Sequence, residues 1–166
     1  MKIYSKRFKT ELEFEDNMII KFQRGIPGFA QSKRFCILDM DDTEAPFKWL
    51  HDVDNTEICL LITDPYYFFP NYEPQIDEKL LHDLDVKTVQ KEVTVFTIVK
   101  IINGGKEAFT NLRAPVVVNA NNKKACQVIL EDDTYAIKTP LFSELKKQGN
   151  NQKQNPKEPE RTAVNS

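Results

Sequence analysis

Two histidines, three cysteines and several runs of carboxylates are the side chains best suited to chemistry in this 166-residue chain. A serine or cysteine nucleophile needs an imidazole within reach to take its proton. His51 sits in the strand-like run Trp49-Leu50-His51-Asp52, His82 lies on the polar side of a short helical stretch, and neither has a Gly-x-Ser-x-Gly elbow nearby. Metal chemistry finds no Cys-x-x-Cys pair and no His-Glu-x-x-His. Asp39-x-Asp41-Asp42-x-Glu44 and Asp52-x-Asp54-Asn55-x-Glu57 open like a calcium loop, but both put Glu where that loop needs glycine, so they read as solvated turn carboxylates. Asp132-Asp133 falls in a turn with no apolar pocket beside it to divide acid from base. The five glycines form no phosphate-cradling loop. Cys36, Cys59 and Cys126 are odd in number, far apart and each in a strand-like run, which suits buried reduced thiols. No catalytic, metal or cofactor residue is assigned.

The segment that remains unexplained is Asp64-Pro-Tyr-Tyr-Phe-Phe-Pro-Asn-Tyr-Glu-Pro74, five aromatics among three prolines. Pro65, Pro70 and Pro74 lack an N–H and push the preceding residue towards extended geometry, so a regular helix is not expected. Five rings left in water would forgo burial worth roughly 1.5–3 kcal/mol each, so some must pack inward and the rest form a patch for a partner. Phe68 and Phe69 are adjacent and in extended geometry point to opposite sides, one to the core and one outward. Tyr72 combines ring and hydroxyl, the mixture that interfaces favour, and its replacement by alanine is expected to weaken binding with the fold intact. Glu73 and Asp77 beside it would repel phosphates and attract a basic protein surface. The candidate contact set is therefore Phe68, Phe69, Tyr72, Glu73 and Asp77.

The elements that must position these residues are mostly strands. Phe8, Thr10, Leu12 and Phe14 alternate with charges, and Met18–Phe22, Arg34–Met40, Phe47–Val53 and Ile58–Ile62 follow as apolar runs. Gly25-Ile26-Pro27-Gly28-Phe29 supplies a sharp turn through Gly25, Pro27 and Gly28, after which Phe29 can fold back onto the core. Asp64 can cap the turn that Pro65 begins. One short helix is expected near 77–84, capped by Asp77 and carrying Leu80, Leu81 and Leu84 on one side. Val93–Ile102 is a long β-branched strand turned by Asn103-Gly104-Gly105. Phe109–Leu112, Val116–Asn119 and Gln127–Leu130 complete the set.

Many short strands without βαβ alternation predict an all-β fold, a single compact barrel-like domain over 1–145. Residues 146–166 hold almost no apolar side chain and are expected to be a disordered polar tail. Net charge is −2, with no pull towards nucleic acid or anionic membrane. No apolar run approaches the roughly 18–20 residues of a membrane span, and the N-terminus has no signal-peptide core, which predicts a cytoplasmic protein. Two classes stay open: a regulatory binding protein, and a small β-fold single-stranded nucleic-acid-binding or hydrolytic domain.

Five segments carry a resemblance: Gly25-Ile26-Pro27-Gly28-Phe29; Pro46-Phe47-x-Trp49-Leu50; Asp64-Pro65 with Phe68-Phe69-Pro70-x-Tyr72-Glu73; Asn111-Leu112-x-Ala114-Pro115-Val116-Val117-Val118-Asn119; and Gln127-Val128-Ile129-Leu130 with Tyr135 and Pro140-Leu141. Taken in order, they resemble the flagellar assembly factor FliW family. The resemblance implies a non-enzymatic cytoplasmic β-barrel without cofactor that binds flagellin and the RNA-binding translational regulator CsrA. Freed when flagellin is exported, such a factor captures CsrA and lifts its repression of flagellin translation. Ile58-Cys59-Leu60 departs from the family's usual aromatic, and the polar tail extends beyond its usual end.

Overall fold

The structure, a computed structural model, describes residues 1–40 and 46–141. The acidic turn Asp41-Asp42-Thr43-Glu44, the expected boundary at 145 and the polar tail lie outside the described residues.

Strand periodicity builds most of the chain. β1 (Lys2–Ser5) and β2 (Thr10–Glu13) form a separate antiparallel hairpin. β3 (Ile19–Phe22), β4 (Arg34–Asp39), β5 (Phe47–Asp52), β6 (Cys59–Thr63) and β7 (Val93–Ile102) run as an antiparallel meander. β8 (Glu107–Thr110) and β9 (Val116–Asn119) pair with successive lengths of the long β7. β10 (Lys124–Gln127) lies antiparallel to β9 and parallel to β3, which closes a barrel of seven strands. β11 (Thr139–Pro140) extends the sheet beyond β8.

Between the pairs Phe96↔Val116 and Val99↔Thr110 the partner of β7 carries extra residues, and Asn111–Pro115 bulges out to absorb them. The Asn111 carboxamide accepts the Arg113 and Ala114 N–H groups at 3.1 Å each, and Pro115 has no donor to leave unmatched. Closure is driven by burial. One apolar cluster, with Ile20, Phe22, Phe35, Leu50, Ile62, Phe96 and Val116 among its members, draws on every barrel strand. A second lies outside the barrel wall around Phe47, Leu61, Phe68, Val99 and Leu141. Each such side chain contributes about 1.5–3 kcal/mol on leaving water.

Several expectations are corrected. Gly25 and Gly28 do take positive φ (67° and 88°), and Ile26-Pro27-Gly28-Phe29 closes with Phe29 N–H bonded to Ile26 C=O at 2.6 Å. Yet Ile26 enters the core while Phe29 stays exposed, because the turn ends on the solvent side of the barrel. The strand after β9 covers Lys124–Gln127 rather than Gln127–Leu130, since its ladder with β9 ends at Gln127↔Val116 and Pro115 has no N–H to continue it. Three short helices form where one was expected: α1 (Pro65–Phe68), α2 (Glu78–Asp83) and α3 (Val89–Glu92). Asp77 caps α2 as predicted, accepting from Lys79 N–H at 3.0 Å. In α3, Glu92 reaches back to the Lys87 and Thr88 N–H groups, bonds that hold its carboxyl below the usual range.

Candidate functional site

Three places could carry function, and the first is the histidine in β5. The β4–β5–β6 register places Cys36, His51 and Cys59 in one row. The β1–β2 hairpin covers that row. Its Phe8 ring stands 5.5 Å from His51 and 5.6 Å from Trp49. His51 Nδ1 lies 2.7 Å from the Asp52 C=O, which can only accept, so Nδ1 carries the proton and Nε2 receives the Ser5 hydroxyl at 2.7 Å. The Ser5 oxygen in turn accepts the Phe8 N–H at 3.0 Å. Serine beside imidazole has the shape of a nucleophile and its base, but both residues are fully buried and no substrate could reach them. Their hydrogen bonds tie the hairpin to the barrel. Burial pushes the Cys36 thiol up to about 11 and Cys59 to about 12, so neither supplies a thiolate at neutral pH.

Asp52 is also not the solvated carboxylate expected. It is buried, and its Oδ1 accepts the Asp54 and Asn55 N–H groups at 2.8 and 2.9 Å, closing the turn after β5. Asp54 pairs with Arg34, whose guanidinium holds its carboxyl below the usual range. Among the described residues no cluster of three or more His, Cys, Asp or Glu could hold a metal ion.

The aromatic segment is the second place. It begins with one turn of helix, which the three prolines do not forbid: Pro65 takes the first helical position, where its missing N–H is not needed. Asp64 accepts the Tyr66 N–H at 2.9 Å as the cap. The turn redirects every ring. Phe68 is 1 % exposed and packs on Phe47 at 5.8 Å, and Phe69 sits between two apolar clusters. Tyr72 is 3 % exposed and donates its hydroxyl to the Leu112 C=O at 2.6 Å, staking the segment to the bulge between β8 and β9. Burial raises its phenol well above the ordinary range. Phe68 and Tyr72, expected at a partner's surface, are thus internal; of the adjacent pair, Phe68 lies in the core and Phe69 is only half-buried. Tyr66 and Tyr67, 40 % and 39 % exposed, face outward instead.

The third place takes up the two acidic candidates. Glu73 and Asp77 stand on one wall of an open groove of about 840 Å³ between the segment leading into α2 and the stretch Cys126–Tyr135. Tyr135 holds its shape: the ring stands edge-on to Tyr72 at 4.7 Å, and the hydroxyl accepts the Glu73 N–H at 2.8 Å. Asp83, Glu131 and Asp132 also line it, making five carboxylates against the two cations Arg24 and Lys79. Bonds from the Thr134 hydroxyl and N–H keep the Asp132 carboxyl below the usual range, so it stays charged. Ile129 is the most exposed apolar side chain here, at 64 %. Asp83, Glu131, Asp132 and Ile129 escaped sequence reasoning. Asp132-x-Thr134 reads as a turn, and nothing local says that it faces Glu73 across a groove.

A small closed β-barrel with one acidic groove beside its last barrel strand defines a class of compact binding domain more readily than a catalytic centre. The chain belongs to the FliW family: the family model for the FliW protein matches residues 2–141. The flagellar assembly factor FliW of Thermoanaerobacter pseudethanolicus is 38% identical over 146 residues, spanning 88% of this chain and 96% of that protein. That of Bacillus subtilis is 34% identical over 142 residues, covering 86% and 98%. A crystal structure of the flagellar assembly factor FliW superposes with a TM-score of 0.76 at 30% identity, covering 86% of this chain and 97% of that one. Among the described residues no helix is long and apolar enough to cross a membrane.

Proposed function

We propose that this protein is a non-enzymatic cytoplasmic assembly factor of the bacterial flagellum. It binds flagellin and the translational regulator CsrA in alternation and needs no cofactor. Family membership supports the flagellar role. The observation that carries the binding reading is the acidic groove, with five carboxylates against two cations around an exposed isoleucine. Such a surface steers a basic protein segment inward, repels RNA phosphates, and offers apolar area to hold what arrives. While flagellin occupies the factor, CsrA stays on its RNA. Export of flagellin frees the factor to take CsrA, and translation resumes.

Size-exclusion chromatography of the purified chain with flagellin, and separately with CsrA, checks this. Each mixture is expected to give a complex, and added flagellin is expected to lower the CsrA retained. Failure to bind either protein, or retention of RNA without a protein partner, would overturn the reading.

A further inference from the structure

The groove has a second property, independent of its charge. Along β10 the backbone alternates between neighbours. Val128 N–H bonds to the Pro115 C=O at 2.9 Å and Leu130 N–H to the Arg113 C=O at 2.8 Å, continuing the side that faces β9. The alternate residues face the other way. There Lys123 C=O accepts Lys21 N–H at 2.8 Å and Ala125 pairs with Phe22. β3 goes no further: Phe22 is its last residue, and the chain turns aside, with Gly25 N–H returning to the Phe22 C=O at 3.2 Å. Gln127 and Ile129 therefore carry on an edge that has lost its neighbour. The Ile129 N–H and C=O make no hydrogen bond among the described residues. An edge of this kind is a template for another strand. Both Gln127 and Ile129 line the acidic groove, so a strand added at this edge would enter it.

We propose that this edge binds its partner by strand addition. An extended segment with lysine or arginine at alternate positions takes up the line that β3 leaves. It pairs with the Gln127 and Ile129 backbone and sets its cations against Glu73, Asp77, Asp83, Glu131 and Asp132. The backbone bonds supply the hold and the carboxylates select the charge. The proposal rests on the groove being the partner surface, and deepens it by naming the form that the partner's segment takes.

Amide hydrogen exchange, with two probes, tests it. A short peptide alternating lysine and valine should protect the Ile129 amide, while its counterpart with glutamate for lysine should not. Ile129→Pro removes the free N–H at an exposed position and should weaken the lysine peptide about tenfold or more. Asp132→Lys, which leaves the backbone donor in place, should weaken it and flatten its salt dependence. Equal binding of both peptides, or binding without protection at Ile129, overturns strand addition. Flagellin or CsrA bound normally by Ile129→Pro, and leaving the Ile129 amide of the unaltered chain unprotected, likewise removes strand addition and leaves the partner-binding reading standing. Loss of peptide, flagellin and CsrA binding alike in the unaltered chain overturns both.

Discussion

The row beneath the β1–β2 hairpin and the groove beside β10 are opposites. The first holds the chemically gifted side chains, Ser5, His51, Asp52 and two cysteines, and the hydroxyl, the imidazole and the carboxylate are already bonded inside the fold. The second holds ordinary carboxylates and an isoleucine, yet it is open, charged and bordered by an unmatched strand edge. Reactive residue types do not mark a site when their hydrogen bonds are satisfied and water is excluded. An unmatched edge in solvent is the better candidate, because a strand added there would complete what folding left undone.

The contrast breaks most readily at the scaffold. Tyr72→Ala removes a buried ring and the Oη bond to Leu112, and should cost about 3–5 kcal/mol in urea unfolding. Weakened binding in a protein of unchanged stability would instead return Tyr72 to the interface. His51→Ala should cost about 3 kcal/mol, releasing the hairpin from β5. If its stability were unchanged while some turnover disappeared, the sealed row would have to be counted a catalytic site.

Effects at the groove are smaller and of another kind. Glu73→Lys with Glu131→Lys should leave stability within about 0.5 kcal/mol, as exposed substitutions do, while weakening partner binding by about 1–2 kcal/mol at low salt. Affinity unchanged in an isothermal titration would detach the groove from function. The thiols sharpen the comparison at its quiet end. Cys36 and Cys59 titrate above their ordinary 9.0, at about 11 and about 12, so the stability tied to their neutral forms is complete below about pH 9 and falls as the pH rises towards those values. At about pH 7.5, below a thiol's ordinary value, buried Cys36 should resist iodoacetamide in the native protein, and its labelling at the unfolded rate would show that the row is not sealed.

Much of the fold was legible because it depends on near neighbours. Alternation marks the barrel strands, Gly25 to Gly28 mark their turn, and Asp77 marks the start of α2. The candidate groove was legible in part. Glu73 and Asp77, singled out for their charge beside an aromatic run, do line it, whereas Tyr72 is buried, because ring and hydroxyl suit an internal stake as well as an interface.

What the amino-acid sequence determined by itself is therefore local: strand and turn positions, the absence of phosphate and metal motifs, and a crowd of rings that had to be largely buried. Only the tertiary structure decided which rings those were, where β3 leaves β10, and that Arg24, Glu73 and Asp132 share one groove. The reason is range. Periodicity and turn chemistry are properties of a few consecutive residues, but a free edge exists only relative to the strand that fails to continue beside it. That relation is set when burial of one core drawn from all seven strands closes the barrel.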